Sequence, residues 1–213
     1  MKRRLVVTAG PTREHLDPVR FLSNPSTGKM GFALAAEAAK AGYDVVLVAG
    51  PVALGTPPGV RRVDVVSARE MLSAVRSALV VPAGASRPVF IATAAVADWR
   101  PARCAKRKLK KSAMTGTLRL VRNPDILRSV RGAVKIGFAA ETDRVLEEAA
   151  RKCRAKHLAF IVANDVTEKG SGFGTDTDRV TFVFPDGSRR AFPLMAKRRV
   201  AAAILEEAAT FSS

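Results

Sequence analysis

Short β-branched runs alternate with helical patterns along this sequence, and that alternation admits few folds. Residues 3–9 read as a buried strand around the apolar run Leu5-Val6-Val7, which stops at Thr8-Ala9-Gly10-Pro11. A helical pattern opens after Ser26-Thr27-Gly28, a hydroxyl-bearing cap ahead of Lys29 to Lys40, and Gly42 ends it. Asp44 to Ala49 reads as a second strand and Arg62 to Val66 as a third. Ser67-Ala68-Arg69-Glu70 has capping-box spacing and starts a helix to about Val80. Val89 to Ala92 is a fourth strand. Strands separated by helices pair in parallel through right-handed crossovers.

The second half continues the theme with additions. Thr117 to Val121 alternates like a strand, and Asn123-Pro124-Asp125 is a helix entry with proline near the first helical position. Val134 to Phe138 is a strand running into Ala139-Ala140-Glu141-Thr142, and a helix follows to about Lys156. Leu158 to Ala163 is another strand, ahead of a loop with Gly170, Gly172 and Gly174. Arg179 to Phe184 and Ser188 to Phe192 flank Pro185-Asp186-Gly187 as a hairpin, and a last helix covers about Leu194 to Ala209. The expected fold is α/β: a mainly parallel Rossmann-like sheet with helices on both faces, plus a C-terminal β-hairpin and a long basic flap. A chain of 213 residues suits one such domain, taken as residues 1–213.

Mean hydropathy is +0.05, and no window approaches the roughly 20 apolar residues of a membrane span. The opening Met-Lys-Arg-Arg-Leu-Val-Val is too short in its apolar part for a signal peptide. Cys104 and Cys153 lack metal-ligand spacing, so free thiols in a reducing cytoplasm are expected. The net charge is +17, which fits nucleic acid, anionic membrane or phosphorylated small molecules. Aromatic residues make up only 6 %, a thin supply for base stacking.

Candidate chemistry gathers at strand ends. The long connection from Gly10 to Thr27 follows the first strand, where α/β proteins face their ligands, and has the look of a binding loop. Gly28, Lys29 and Gly31 offer free N–H groups and a cation at a helix start, suited equally to phosphate or to an ordinary cap with a solvated lysine. Asn24 and a buried-looking Asp17-Pro18-Val19 favour the binding reading. Residues 100–122 carry nine Lys/Arg and no acid. Lys106-Arg107-Lys108-Leu109-Lys110-Lys111 is either a solvated charge run or a flap that neutralises polyphosphate. Lys152 and Lys156 share a helical face. Asp98, Glu141, Asn164 and Asp165 follow strands and are site residues or turn formers. His15 and His157 are too isolated for a metal pair, and no Ser/His/Asp triad is supported.

Taken together, the blocks GPTREHLDPVRFLSNPSTGKMG, AAVADWRP, KLKK, VRNPDIL, GFAAET and VANDV resemble the phosphopantothenoylcysteine synthetase family, over about residues 3–208. The resemblance implies a ligase of coenzyme A biosynthesis that joins 4′-phosphopantothenate to L-cysteine through an acyl nucleotide. It implies CTP as co-substrate, by the bacterial look of KLKK and AAVADWRP, with ATP the eukaryotic counterpart, and Mg²⁺ on the triphosphate. It implies Asn24 holding the acyl intermediate and Lys108 in activation. It also implies nucleotide contacts from Ala94, Ala95, Asp98, Lys108, Asn123, Pro124, Asp125, Ile126, Phe138, Lys152 and Lys156, with no protein metal ligands. A homodimer is expected, and a flavin-dependent decarboxylase, fused in many bacterial relatives, is a possible separate partner.

Asn24-Pro25-Ser26-Thr27 departs from a commoner Ser-Ser before the glycine, yet keeps the hydroxyl. Two rival readings are an NAD(P)-dependent reductase and a nucleic-acid-binding module. The first lacks GxGxxG and any Tyr-x-x-x-Lys pair, since the sole Tyr43 precedes Asp44. The second lacks a basic recognition helix, because the charge lies in one loop.

Overall fold

A computed structural model describes residues 2–110, 116–141, 144–165, 167–168, 170–172 and 174–211. Lys111, Thr142 and Val166 lie outside the described residues, as do the side chains of Glu141 and Asp165. In chain order, β1 (Arg4–Ala9), β2 (Arg13–His15) and β3 (Phe21–Ser23) precede α1 (Lys29–Lys40). β4 (Asp44–Ala49) and β5 (Val60–Asp64) lead to α2 (Ala68–Ala78). β6 (Val89–Ala92), β7 (Trp99–Pro101) and β8 (Leu120–Arg122) lead to α3 (Ile126–Ser129), and β9 (Val134–Glu141) to α4 (Val145–Ala155). Then come β10 (Phe160–Asp165), β11 (Thr177–Asp178), β12 (Val180–Val183), β13 (Arg189–Ala191), β14 (Met195–Ala196) and α5 (Lys197–Ala209).

The main sheet orders eight strands as β13-β12-β10-β9-β6-β1-β4-β5 among the described residues. From β5 to β10 all neighbours are parallel, whereas β12 and β13 add the antiparallel hairpin. β1 pairs on both edges, with Val6 opposite Val46 on one side and Phe90 on the other. The winding reverses there, and the reversal opens a crevice at the carboxyl ends of β1 and β6. This is the mainly parallel, doubly covered α/β fold read from the sequence.

Burial on both faces explains the unbroken apolar runs. Val7, Leu47, Ile91, Ile136 and Phe160 pack with α1 and α5 through Leu34, Ala35, Val200 and Ile204. On the opposite face Val6, Val46 and Phe90 meet Met71 and Val75 of α2 and Ile126 of α3, while Ile161 and Ala163 lie with Ala149 and Cys153 of α4. Both sheet edges carry adjacent arginines, Arg61-Arg62 on β5 and Arg189-Arg190 on β13.

Several local expectations need correction. α1 has no hydroxyl cap: Gly28, at φ 81°, takes the cap position with no side-chain bond. The capping box of α2 forms as read, with Ser67 accepting from the Glu70 N–H. Asp125, not Pro124, starts α3, because its carboxylate accepts from the Arg128 N–H. The third strand lies two residues earlier than read, and α5 starts at Lys197 because Met195-Ala196 pairs with Thr177-Asp178. The connection after β1 contains a small sheet, β2 with β3, and β7 with β8 forms another beside it.

The crevice floor is tight. A Cβ on Gly50 would lie 1.8 Å from the Pro11 carbonyl oxygen, while the Gly50 N–H bonds the Ala9 carbonyl at 2.9 Å. Gly50→Ala must therefore push apart the ends of β1 and β4. It is expected to lower the calorimetric midpoint of unfolding by roughly 5 °C or more.

Candidate functional site

The loop after β1 is fastened by buried polar groups. Thr12 Oγ1 accepts from the Ala97 N–H at 3.0 Å, and Glu14 Oε1 from the Ala68 N–H at 2.9 Å, an orphan donor at the start of α2. Asp17 is fully buried, although Pro18 and Val19, read as buried with it, are exposed. Its carboxylate accepts from the Val19 and Arg20 N–H groups, from the Arg20 guanidinium at 2.5 Å and from the Leu109 N–H at 3.1 Å. The Arg20 guanidinium outweighs burial and, with these N–H donors, holds the Asp17 carboxyl well below the carboxylate range. Arg20 also donates to the Leu109 carbonyl, and the Ala105 N–H to Leu16. The basic flap is thus pinned to the first loop on either side of the exposed Lys108. Asn24 crosses the crevice, its Nδ2 donating to the Ala95 carbonyl at 3.0 Å.

Beyond this loop lies a cavity of about 460 Å³ on the carboxyl ends of β1, β6 and β9. Ala94, Asp98, Asn123, Pro124, Asp125, Ile126, Phe138 and Lys156 line it, so residues named from separate sequence blocks come together. Asn123 is fixed by its Nδ2 on the Ala97 carbonyl, 2.8 Å, and by Arg100 on its Oδ1, 3.1 Å. Lys156 Nζ meets Asp125 Oδ2 at 2.9 Å. Partial burial works to raise the Asp125 pKa, yet the Lys156 ammonium and the Arg128 N–H leave it below its ordinary value.

Ala95, Lys108 and Lys152 do not line this cavity; Ala95 instead ties the crevice loops together through Asn24, Gly10 and Thr12. Trp99 and Arg122 do line it and were not singled out from sequence. They pair across β7 and β8 with the guanidinium 5.2 Å from the indole centroid. Their signal was adjacency: each directly follows or precedes a named residue.

Phe138 also lines a second cavity, of about 70 Å³, at the N-terminal turn of α1. Lys29 Nζ reaches the Gly174 carbonyl and Asp176 Oδ1, both at 2.8 Å, so the glycine loop is held over the helix start. Beneath it the buried Asp178 accepts from Asn164, Ser171 and the Gly172 N–H. Lys197 Nζ donates to the carbonyls of Gly172 and Thr175. Burial pushes the Lys197 pKa down against the pull of Asp178. Asn164 is therefore a loop anchor.

Among the described residues no three His, Cys, Asp or Glu side chains gather as a metal site. Asp98 and Asp125 are the carboxylates that line the large cavity. Both thiols are free, and burial pushes Cys153 up to about 11, leaving it inert. No described helix is long and apolar enough to cross a membrane.

A Rossmann-like α/β protein with a small-molecule-sized crevice at its switch point is the class these features define. Residues 1–211 match the family model described as DNA/pantothenate metabolism flavoprotein C-terminal domain, and the chain belongs to that family. This bears out, at the level of family, the resemblance to phosphopantothenoylcysteine synthetases. The chain is 47 % identical over 210 residues to the coenzyme A biosynthesis bifunctional protein CoaBC of Vibrio cholerae serotype O1, covering 95 % of this chain and 51 % of that protein. It spans about half the length of the curated relatives it matches. The crystal structure of a CoaBC C-terminal domain superposes with TM-score 0.79 at 40 % identity, over 97 % of this chain and 93 % of that one. A Cab2 mutant in complex with phosphopantothenate-cysteine shares the fold, with TM-score 0.77 at 17 % identity, over 98 % of this chain and 86 % of that one.

Because the Asp17 pKa is depressed by folding, its contribution to stability is full above the ordinary carboxylate value of 3.8 and fades as pH falls below it. The urea midpoint of Asp17→Asn should lie below that of the native chain at pH 7, and the gap should narrow as pH falls toward 3, roughly the range of that titration.

Proposed function

We propose that this chain joins 4′-phosphopantothenate to L-cysteine, activating the carboxylate with CTP. The observation that carries the reading is the convergence of Ala94, Asp98, Asn123 to Ile126, Phe138 and Lys156 on one cavity. Its volume of about 460 Å³ falls in the range of small-molecule sites. In the first step a carboxylate oxygen attacks the α-phosphorus of CTP and pyrophosphate leaves, giving an acyl-cytidylate. In the second, the cysteine amine attacks the acyl carbon, CMP departs with the bonding electrons, and the nitrogen loses its proton.

The chain's residues divide this work. Asn123 and Asp125 shape the nucleotide wall, and Lys156 brings a cation to it. Lys108, on the pinned flap, supplies positive charge to the departing pyrophosphate. Asn24, beside Ala95, holds the acyl intermediate for the amine. Mg²⁺ carried on the triphosphate screens its charge when bound, with Asp98 and Asp125 the carboxylates within the cavity.

A homodimer fits the exposed apolar side chains of the small sheets, Phe21 on β3, Trp99 on β7 and Leu120 on β8. A cytoplasmic setting fits the free thiols. A decarboxylase, fused or separate, is the partner that the bifunctional relatives suggest.

Pyrophosphate release should require 4′-phosphopantothenate and be faster with CTP than with ATP. Lys108→Gln should slow that release, whereas Asn24→Asp should leave it and slow amide formation, each by roughly a hundredfold. No release from folded protein with either nucleotide would overturn the assignment. Trp99 is the sole tryptophan and lines the cavity, so CTP should change its emission, and Lys156→Met should weaken that titration roughly tenfold.

A further inference from the structure

Lys135 lies between Val134 and Ile136 in the core strand β9 and is only 7 % exposed. Its ammonium donates to the Lys156 carbonyl at 2.5 Å and to the Leu127 carbonyl at 3.2 Å. Leu127 belongs to α3, and Lys156 caps the C-terminus of α4. Carbonyls at helix C-termini lack intrahelical partners and carry partial negative charge, so one ammonium between two such ends satisfies both.

Gly137 lies two residues further along the same face of β9. A Cβ there would sit 2.9 Å from Leu158 Cδ1 and 3.3 Å from Leu127 Cδ1. The missing side chain lets α3 and the turn after α4 settle against the strand, and the lysine beside it bonds both. These same two segments bring Asp125 and Lys156 to the large cavity, where their side chains meet at 2.9 Å. The contacts close a ring: Lys135 to the Lys156 backbone, through its side chain to Asp125, along α3 to Leu127, and back.

We propose that Lys135 is a positioning residue: its ammonium fixes the spacing of the Asp125 and Lys156 walls and thereby the nucleotide affinity of the cavity. The proposal rests on the reading of that cavity as a nucleotide site. A buried ammonium is costly to desolvate, and a methionine of similar length would fill the same space. What methionine lacks is the pair of N–H donors that hold the two carbonyls. A displacement of about 1 Å in a binding group is enough to cost a large factor.

The test is nucleotide titration of the full chain, read by Trp99 emission and by calorimetry, with CTP and ATP. Lys135→Met should raise the CTP dissociation constant roughly tenfold and leave the KM for cysteine unchanged. Because part of the effect of Lys135 reaches the nucleotide through the Lys156 side chain, the double variant with Lys156→Met should lose less than the two single losses combined. Should Lys135→Met fail to fold, Lys135→Gln keeps two donors on a shorter arm and should give a smaller loss. Unchanged affinity in the folded variants, additive losses in the double variant, or an equal loss for every substrate would overturn the proposal. Native chain that binds neither nucleotide would overturn the nucleotide reading and this inference together; native binding with an indifferent Lys135 variant would overturn this inference alone.

Discussion

The parallel pairing of β1 on both of its edges is the constraint on which the rest of the molecule depends. A central strand with β4 on one side and β6 on the other forces the chain to wind outward, return and wind outward again. The two connections leaving the carboxyl ends of β1 and β6 must then diverge, and they leave a gap between them. The loop from Gly10 to Thr27 has to cross that gap at the middle of the sheet, where each strand already has two neighbours. Its backbone pairs with itself as β2 and β3 and with Ala95, while its Thr12 and Asn24 side chains bond the backbone of the Ala95–Ala97 turn.

Charge in this protein does two kinds of work. On the surface it is abundant and mostly solvated. Inside, a few acidic and basic side chains (Asp17, Asp178, Lys197 and Lys135) are each enclosed by several hydrogen bonds, and no buried side-chain nitrogen or oxygen among the described residues lacks a partner. Buried groups of this kind add little net stability compared with apolar packing, because desolvation offsets their attraction. What they do fix is loop geometry: removing one partner strands the other, so each loop is confined to one arrangement. The flap, the glycine loop and the two cavity walls are all held in this way.

The sequence was most legible where burial is symmetric. β1, β4, β6 and β10 carry runs apolar on both faces, bounded by glycine, proline or polar residues, so they stand out without any knowledge of partners; β9 does so despite Lys135. The β2–β3 pair was hidden because Arg-Glu-His and Phe-Leu-Ser have no apolar alternation, and their pairing depends on Glu14 and Asp17 reaching other elements. Asp125 replaced Pro124 at the start of α3 because a carboxylate can accept the free N–H of Arg128 and a proline ring cannot. The cavity was largely readable from its blocks, yet nothing in Val-Lys-Ile announces that Lys135 reaches two helix ends. Likewise Lys29 looked available for phosphate, and its partners Gly174 and Asp176 lie about 145 residues away in sequence. Such pairings exist only after the sheet has formed.

The arginine pairs at the two sheet edges bear on how copies of this chain meet. An open strand edge is a template for another strand, and a sheet of this width has two. On β5, Arg61 is exposed while Arg62 folds back over the Phe32 ring; on β13, both arginines are exposed, with Arg190 over the Phe192 ring. A second molecule approaching either edge in register would bring guanidinium against guanidinium. Part of the surplus of 36 basic over 19 acidic residues therefore sits where an edge-to-edge approach of two such sheets would bring like charges together.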